Sequence, residues 1–138
     1  MIRRELYLQK IKPFVNKPII KVLTGIGRSG KSELRKMIRD ELWGEGIPED
    51  NIVYLNFESL QLVDLLDSMA LYNHICTRIK PNTKTYIFLD EIQEVENWEK
   101  VVNSLMADFD VDIYITGSNS RMLSSELSTY LTGRYIEI

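Results

Sequence analysis

Residues Gly25-Ile26-Gly27-Arg28-Ser29-Gly30-Lys31-Ser32 satisfy the pattern G-x-x-x-x-G-K-[ST] in full. Each fixed position has a chemical reason. Gly25, Gly27 and Gly30 let the backbone curl so that successive N–H groups point inward at phosphate oxygens. A helix beginning near Gly30 adds the positive end of its dipole. Lys31 supplies a mobile cation to the β- and γ-phosphates, and the Ser32 hydroxyl completes a Mg²⁺ shell. With Glu33 as its next residue, the stretch reads as the cradle of a nucleoside triphosphate. Arg28 either flanks the phosphates or is only solvated.

A second group of residues fits the same chemistry. Ile87-Phe88-Leu89 delivers Asp90 and Glu91 to the end of an apolar run. Ligands of parallel sheets bind outside the carboxyl ends of the strands, so Asp90 is placed to hold Mg²⁺, directly or through water. Glu91 is then placed to orient and deprotonate an attacking water. Adjacent acids are also common at helix starts, and it is their position downstream of a complete phosphate loop that gives this pair its weight.

Further residues carry two readings each. Ser118 and Asn119, after Thr116-Gly117, stand where a polar side chain could touch the γ-phosphate or its water; they are equally suited to a turn and helix cap. Asn56 forms a turn or restrains Glu91. Arg134 is an arginine finger for a neighbouring subunit's nucleotide or one half of a structural ion pair. His74 reads as a surface or partly buried side chain, and Tyr86, Phe88 and Trp98 as core.

The elements that must position these groups follow from the hydrophobic pattern. Strands are predicted at 19–24, 51–57, 85–89, 111–116 and 135–138, the first and third being continuously apolar enough for burial on both faces. Between them, Leu34, Met37, Ile38 and Leu42 mark one helix, closed by Gly44, Gly46 and Pro48. Leu62, Val63, Leu66, Met69, Ile75 and Ile79 fall at helical spacing over a long stretch that starts at Leu60. Trp98, Val101, Val102, Leu105 and Met106 make a third stripe with Asn97 as N-cap, and Met122, Leu123, Leu127 and Leu131 a fourth. Strands alternating with helices define an α/β protein.

The bulk properties agree with one domain over residues 1–138 of 138. No run of about 18 apolar residues occurs, so no membrane span is expected. The N-terminus has no secretory signal, and Cys76 is the single cysteine, which excludes an internal disulfide. These features favour the cytoplasm. A net charge of −3 argues against a strongly basic nucleic-acid surface. The early cations Arg3, Arg4, Lys10, Lys12, Lys17 and Lys21 read as ordinary solvated surface rather than an anion-binding face. The chain stops inside its last apolar run, from which we expect a piece of a longer protein.

Taken in order, these pieces resemble the AAA-type ATPases of the archaeal-ATPase and origin-recognition-like group, in particular an uncharacterised bacterial and archaeal branch. The resemblance runs from Arg3 to Ile138. It rests on Thr24–Ser32, Tyr54-Leu55-Asn56-Phe57-Glu58, Phe88-Leu89-Asp90-Glu91-Ile92-Gln93, Asn97-Trp98-Glu99-Lys100, Ile115–Ser120 and Leu131-Thr132-Gly133-Arg134. It implies a three-layer α/β/α sandwich on a mainly parallel five-stranded sheet of order 5-1-4-3-2. It implies Ser118 and Asn119 as sensors, Asn56 as a switch partner of Glu91, and Arg134 as a finger. The helical lid that follows the fifth strand in that family, with its sensing arginine, is missing here, as is the C-terminal region. Weak nucleotide binding and slow or absent hydrolysis by this piece alone are the expectation.

The function expected is therefore Mg²⁺-dependent ATP binding and hydrolysis, with ADP as product, driving conformational change in a larger protein that acts on DNA or a protein partner and works as a homo-oligomer. Residues 7–14 are the expected adenine pocket. The alternative is a non-hydrolysing, nucleotide-gated interaction module. A GTPase is disfavoured because Asn16-Lys17 is followed by Pro-Ile rather than completing Asn-Lys-x-Asp. A small-molecule kinase is disfavoured because Asp90-Glu91 suits water activation.

Overall fold

The computed structural model describes residues 9–15, 17–23, 36, 38–40, 44, 46–117, 131 and 135–137. Five strands, β1 (Ile20–Leu23), β2 (Ile52–Asn56), β3 (Thr85–Asp90), β4 (Val111–Thr116) and β5 (Tyr135–Glu137), form one sheet. Its order is β2-β3-β4-β1-β5, and every neighbouring pair is parallel. This is the expected 5-1-4-3-2 arrangement read from the other edge. All described positions of β1 and β4 are buried, as central parallel strands require.

Alternation along the strands divides the side chains between two layers. Ile20, Val22, Val53, Leu55, Ile87, Leu89, Ile113 and Ile115 point to one face. There they meet Leu71 and Ile75 of α1 (Ser68–Cys76) and Trp98, Val101, Val102 and Leu105 of α2 (Trp98–Asp108). Leu23, Ile52, Tyr86, Phe88 and Tyr114 point to the other face, against Ile11 and Ile38, both in helical conformation. The sheet is thus covered from both sides, in three layers.

The stretch from Leu60 to Ile79 is not one helix. A 3-10 segment, Leu60–Leu65, is followed by α1, which starts afresh where the Asp67 side chain accepts from Ala70 N at 3.0 Å. The Ser59 hydroxyl makes a similar local bond with Gln61 N at 3.2 Å. Two polar side chains that satisfy backbone donors thus restart the chain twice within an apparently continuous period. The consequence is that Leu60, Val63 and Met69 lie exposed instead of joining the core. Asn97 does precede α2, but its side chain makes no capping bond. It instead takes the left-handed conformation, φ 57°, which asparagine tolerates better than most residues.

Lys21 corrects another expectation. It is not a solvated cation but is fully buried on β1, ion-paired to Asp112 of β4. Its ammonium also donates to Lys17 O at 2.9 Å and sits 5.3 Å from the Tyr114 ring centroid. The Tyr114 hydroxyl donates to the second Asp112 oxygen at 2.9 Å. Burial pulls the Lys21 pKa below the ordinary lysine value, and Asp112 opposes that pull. Lys10, Lys12 and Lys17 are exposed as expected.

Candidate functional site

Asn56, Asp90 and Thr116 end β2, β3 and β4 at one edge of the sheet, and β1 reaches the same edge at Leu23, paired with Thr116. β1 therefore ends on the same side of the sheet as the two acids. The parallel arrangement makes this coincidence unavoidable, because every strand delivers its carboxyl end to the same side.

Thr116 organises the acids. Its hydroxyl donates to Asp90 Oδ1 and accepts the backbone N–H of Glu91 at 3.0 Å. A hydroxyl has one donor and two acceptor lone pairs, so it can serve both residues at once. The Tyr54 hydroxyl of β2 donates to the other carboxylate oxygen, Asp90 Oδ2, at 3.0 Å. Asp90 shares a small cavity with Leu23, Tyr54, Phe88, Tyr114 and Thr116 on the Tyr–Phe–Tyr side of the sheet.

Glu91 turns away from Asp90. Its backbone lies in the left-handed region, φ 56° and ψ 48°, a conformation that costs a non-glycine residue of order 1–3 kcal/mol. The two consecutive acids line different clefts, as alternation at the end of a strand favours. The Glu91 side chain is 8% exposed and lines an open cleft with Phe57, Ser59, Leu60, Val63 and Leu66. Its Oε1 accepts from Gln93 Nε2 at 3.4 Å. Asn56 takes the turn-forming alternative, since its Oδ1 accepts the N–H of Glu58 at 3.1 Å. Gln93, Tyr54 and Thr116 are thus contacts of the acid pair; the sequence reading quoted them within its motifs but gave none of them a role at the acids. The available signal was alternation, which puts Tyr54 on the same face as Asn56; the register of β2 with β3 then brings that face to Asp90.

The phosphate-loop residues Gly25, Ile26, Gly27, Arg28, Ser29, Gly30, Lys31 and Ser32, with Glu33, lie outside the described residues, as do Ser118, Asn119 and Arg134. Of the expected adenine pocket, residues 9–14 are described, and Ile11 is wholly buried against the sheet. Among the described residues no group of three or more His, Cys, Asp or Glu gathers to bind a metal. Mg²⁺ in nucleotide sites needs no such group, because it keeps several waters and takes one or two protein ligands beside the phosphates. Asp90 at the sheet edge offers carboxylate oxygens, the donor type that suits this hard cation.

Comparison with known proteins agrees with this architecture. A family model described as an AAA domain matches residues 17–138. The chain belongs to this family, and its fold is the N-terminal core of an AAA-type P-loop ATPase. It is 47% identical over 139 residues to an uncharacterized protein of Haemophilus influenzae, covering 100% of this chain and 35% of that protein. A second uncharacterized protein, from Methanocaldococcus jannaschii, is 40% identical over 129 residues, covering 93% of this chain and 27% of its own length. The chain thus spans about a third of the curated relatives it matches.

Among solved structures, a chain of Drosophila ORC bound to AT-rich DNA and Cdc6 superposes with a TM-score of 0.62 at 13% identity, covering 99% of this chain and 53% of that one. A DNA polymerase III gamma subunit-related protein of Thermotoga maritima gives 0.55 at 9% identity, covering 95% and 45%. At these identities the likeness concerns the fold. No helix among the described residues is long and apolar enough to cross a membrane.

Proposed function

We propose that this domain binds ATP with Mg²⁺ and hydrolyses it, as the motor core of a larger protein. The observation that carries the reading is the arrangement of Asp90 and Glu91: adjacent in sequence, joined to one Thr116 hydroxyl, yet lining different clefts at the carboxyl edge of an AAA-type sheet. One acid can then serve the cation and the other the water, without competing for one position.

In this reading Gly25–Ser32 cradles the phosphates, with Glu33 adjoining, and Lys31 neutralises charge on the β- and γ-phosphates. Ser32 and Asp90 hold Mg²⁺, which supplies charge neutralisation and orientation of the triphosphate. Glu91 orients and deprotonates the attacking water, and Ser118 and Asn119 contact the γ-phosphate or that water. Arg134 acts on a neighbouring subunit's nucleotide in a homo-oligomer of the full-length protein. Turnover drives a conformational change, and a DNA or protein partner is engaged through the rest of the longer protein. The likeness in fold to a chain of an ORC–DNA complex makes DNA the first partner to try.

Calorimetric titration of ATP, ADP and GTP, with and without Mg²⁺, tests the binding half of this reading. Adenine-selective binding that Lys31→Ala weakens by at least tenfold is the expected result; equal binding by wild type and Lys31→Ala would refute the assignment of the loop. Phosphate release by the longer protein then tests the chemistry. Glu91→Gln should keep nucleotide and lose turnover by roughly 10²–10⁴-fold, the usual contribution of general acid–base catalysis. Indifference to this change would favour a nucleotide-gated binding module.

A further inference from the structure

One row of the sheet places Tyr54, Phe88, Tyr114 and Lys21 side by side on four neighbouring strands. Phe88 and Tyr114 are interior rings, stacked with centroids 4.6 Å apart and planes within 8°. Tyr54 occupies the edge strand and is 37% exposed. Packing gives this ring no need of a hydroxyl, since phenylalanine would cover Phe88 equally well. The hydroxyl is nevertheless aimed along the sheet at Asp90 Oδ2, 3.0 Å away.

With Thr116 on Oδ1, each oxygen of Asp90 carries a fixed donor. The two donors come from the strands on either side of β3, so they hold the carboxylate from opposite directions. An ionised carboxylate has about four acceptor sites, so two remain available once both donors are in place. Fixing a ligating carboxylate through its outer hydrogen bonds spares the cation the cost of ordering it. We propose that Tyr54 is a positioning residue for metal binding: its hydroxyl clamps Asp90 so that the remaining lone pairs meet the Mg²⁺ of a bound nucleotide. This inference rests on the assignment of Asp90 to Mg²⁺ made above.

The test titrates ATP into wild type and Tyr54→Phe by calorimetry over a series of Mg²⁺ concentrations and in EDTA. Phenylalanine keeps the ring, so the melting temperature should hold. The Mg²⁺ concentration giving half of the gain in ATP affinity should rise toward tenfold, the lower end of outer-shell effects (roughly 10–100-fold). ATP affinity in EDTA should not change. An unchanged or lower Mg²⁺ requirement in Tyr54→Phe, beside a wild type that responds to Mg²⁺, overturns the clamp alone. So does an equal loss of affinity with and without Mg²⁺, which would mark a structural role. A wild type that binds ATP with no gain from Mg²⁺ overturns the assignment of Asp90, and the clamp with it.

Discussion

The same strands build two faces of different kinds. Toward α1 and α2 the described part of the sheet is mainly aliphatic, with buried Thr85 and half-buried Tyr135 as its exceptions. Toward Ile11 and Ile38 it carries a buried lysine, two aspartates, a threonine and four aromatic rings, three of which end in hydroxyls. The first face can lose a residue and lose only stability. On the second, polar groups of neighbouring strands are bonded to one another, so each side chain constrains its partners, and at the carboxyl edge that constraint reaches Asp90.

The largest expected difference between the faces lies at the buried pair. Lys21→Met should destabilise the domain by about 3–5 kcal/mol, because Asp112 would be left charged, buried and without its cation. Adding Asp112→Leu should recover most of that loss, since an apolar pair of similar volume is often neutral or better. Urea denaturation of the two variants checks this, and a double variant no more stable than Lys21→Met would break the claim that pairing rather than shape sets the cost.

On the helical face, Leu105→Ala removes a fully buried aliphatic side chain and should cost about 2–5 kcal/mol with no dependence on a partner. Combining it with Lys21→Met should give additive losses, because the two side chains lie on opposite faces of the sheet. Strong coupling would show that the faces are not independent. The smallest effect belongs to the exposed 3-10 segment. Leu60 is 86% exposed, so Leu60→Ser should shift stability by no more than about 0.5 kcal/mol in the same denaturation experiment. A larger loss would mean that this segment is covered in solution.

Much of the fold was legible because its signals are local. Continuous apolar runs gave the strands to within a residue or two, as with 85–89 against Thr85–Asp90, and the alternation with helical stripes gave the class. The sheet order came from the family resemblance rather than from any property of the strands taken singly. Helical spacing failed between Leu60 and Ile79, where Ser59 and Asp67 offer the backbone local partners that hydrophobic period does not register. Lys21 was misread because charge in a sequence suggests solvent, and Asp112, its partner, is 91 residues away.

The sequence by itself singled out the candidates for phosphate and metal chemistry, since Gly25–Ser32 and Asp90-Glu91 are runs of neighbours whose meaning lies in their spacing. Only the tertiary structure decided what surrounds Asp90. Tyr54, Thr116 and Asp90 come from three strands, 36 and 26 residues apart from one another across their hydrogen bonds, and meet because parallel pairing aligns β2, β3 and β4. A hydrogen bond acts over about 3 Å, whereas the pattern of a sequence reaches only along the chain, so such contacts exist nowhere until the sheet has formed.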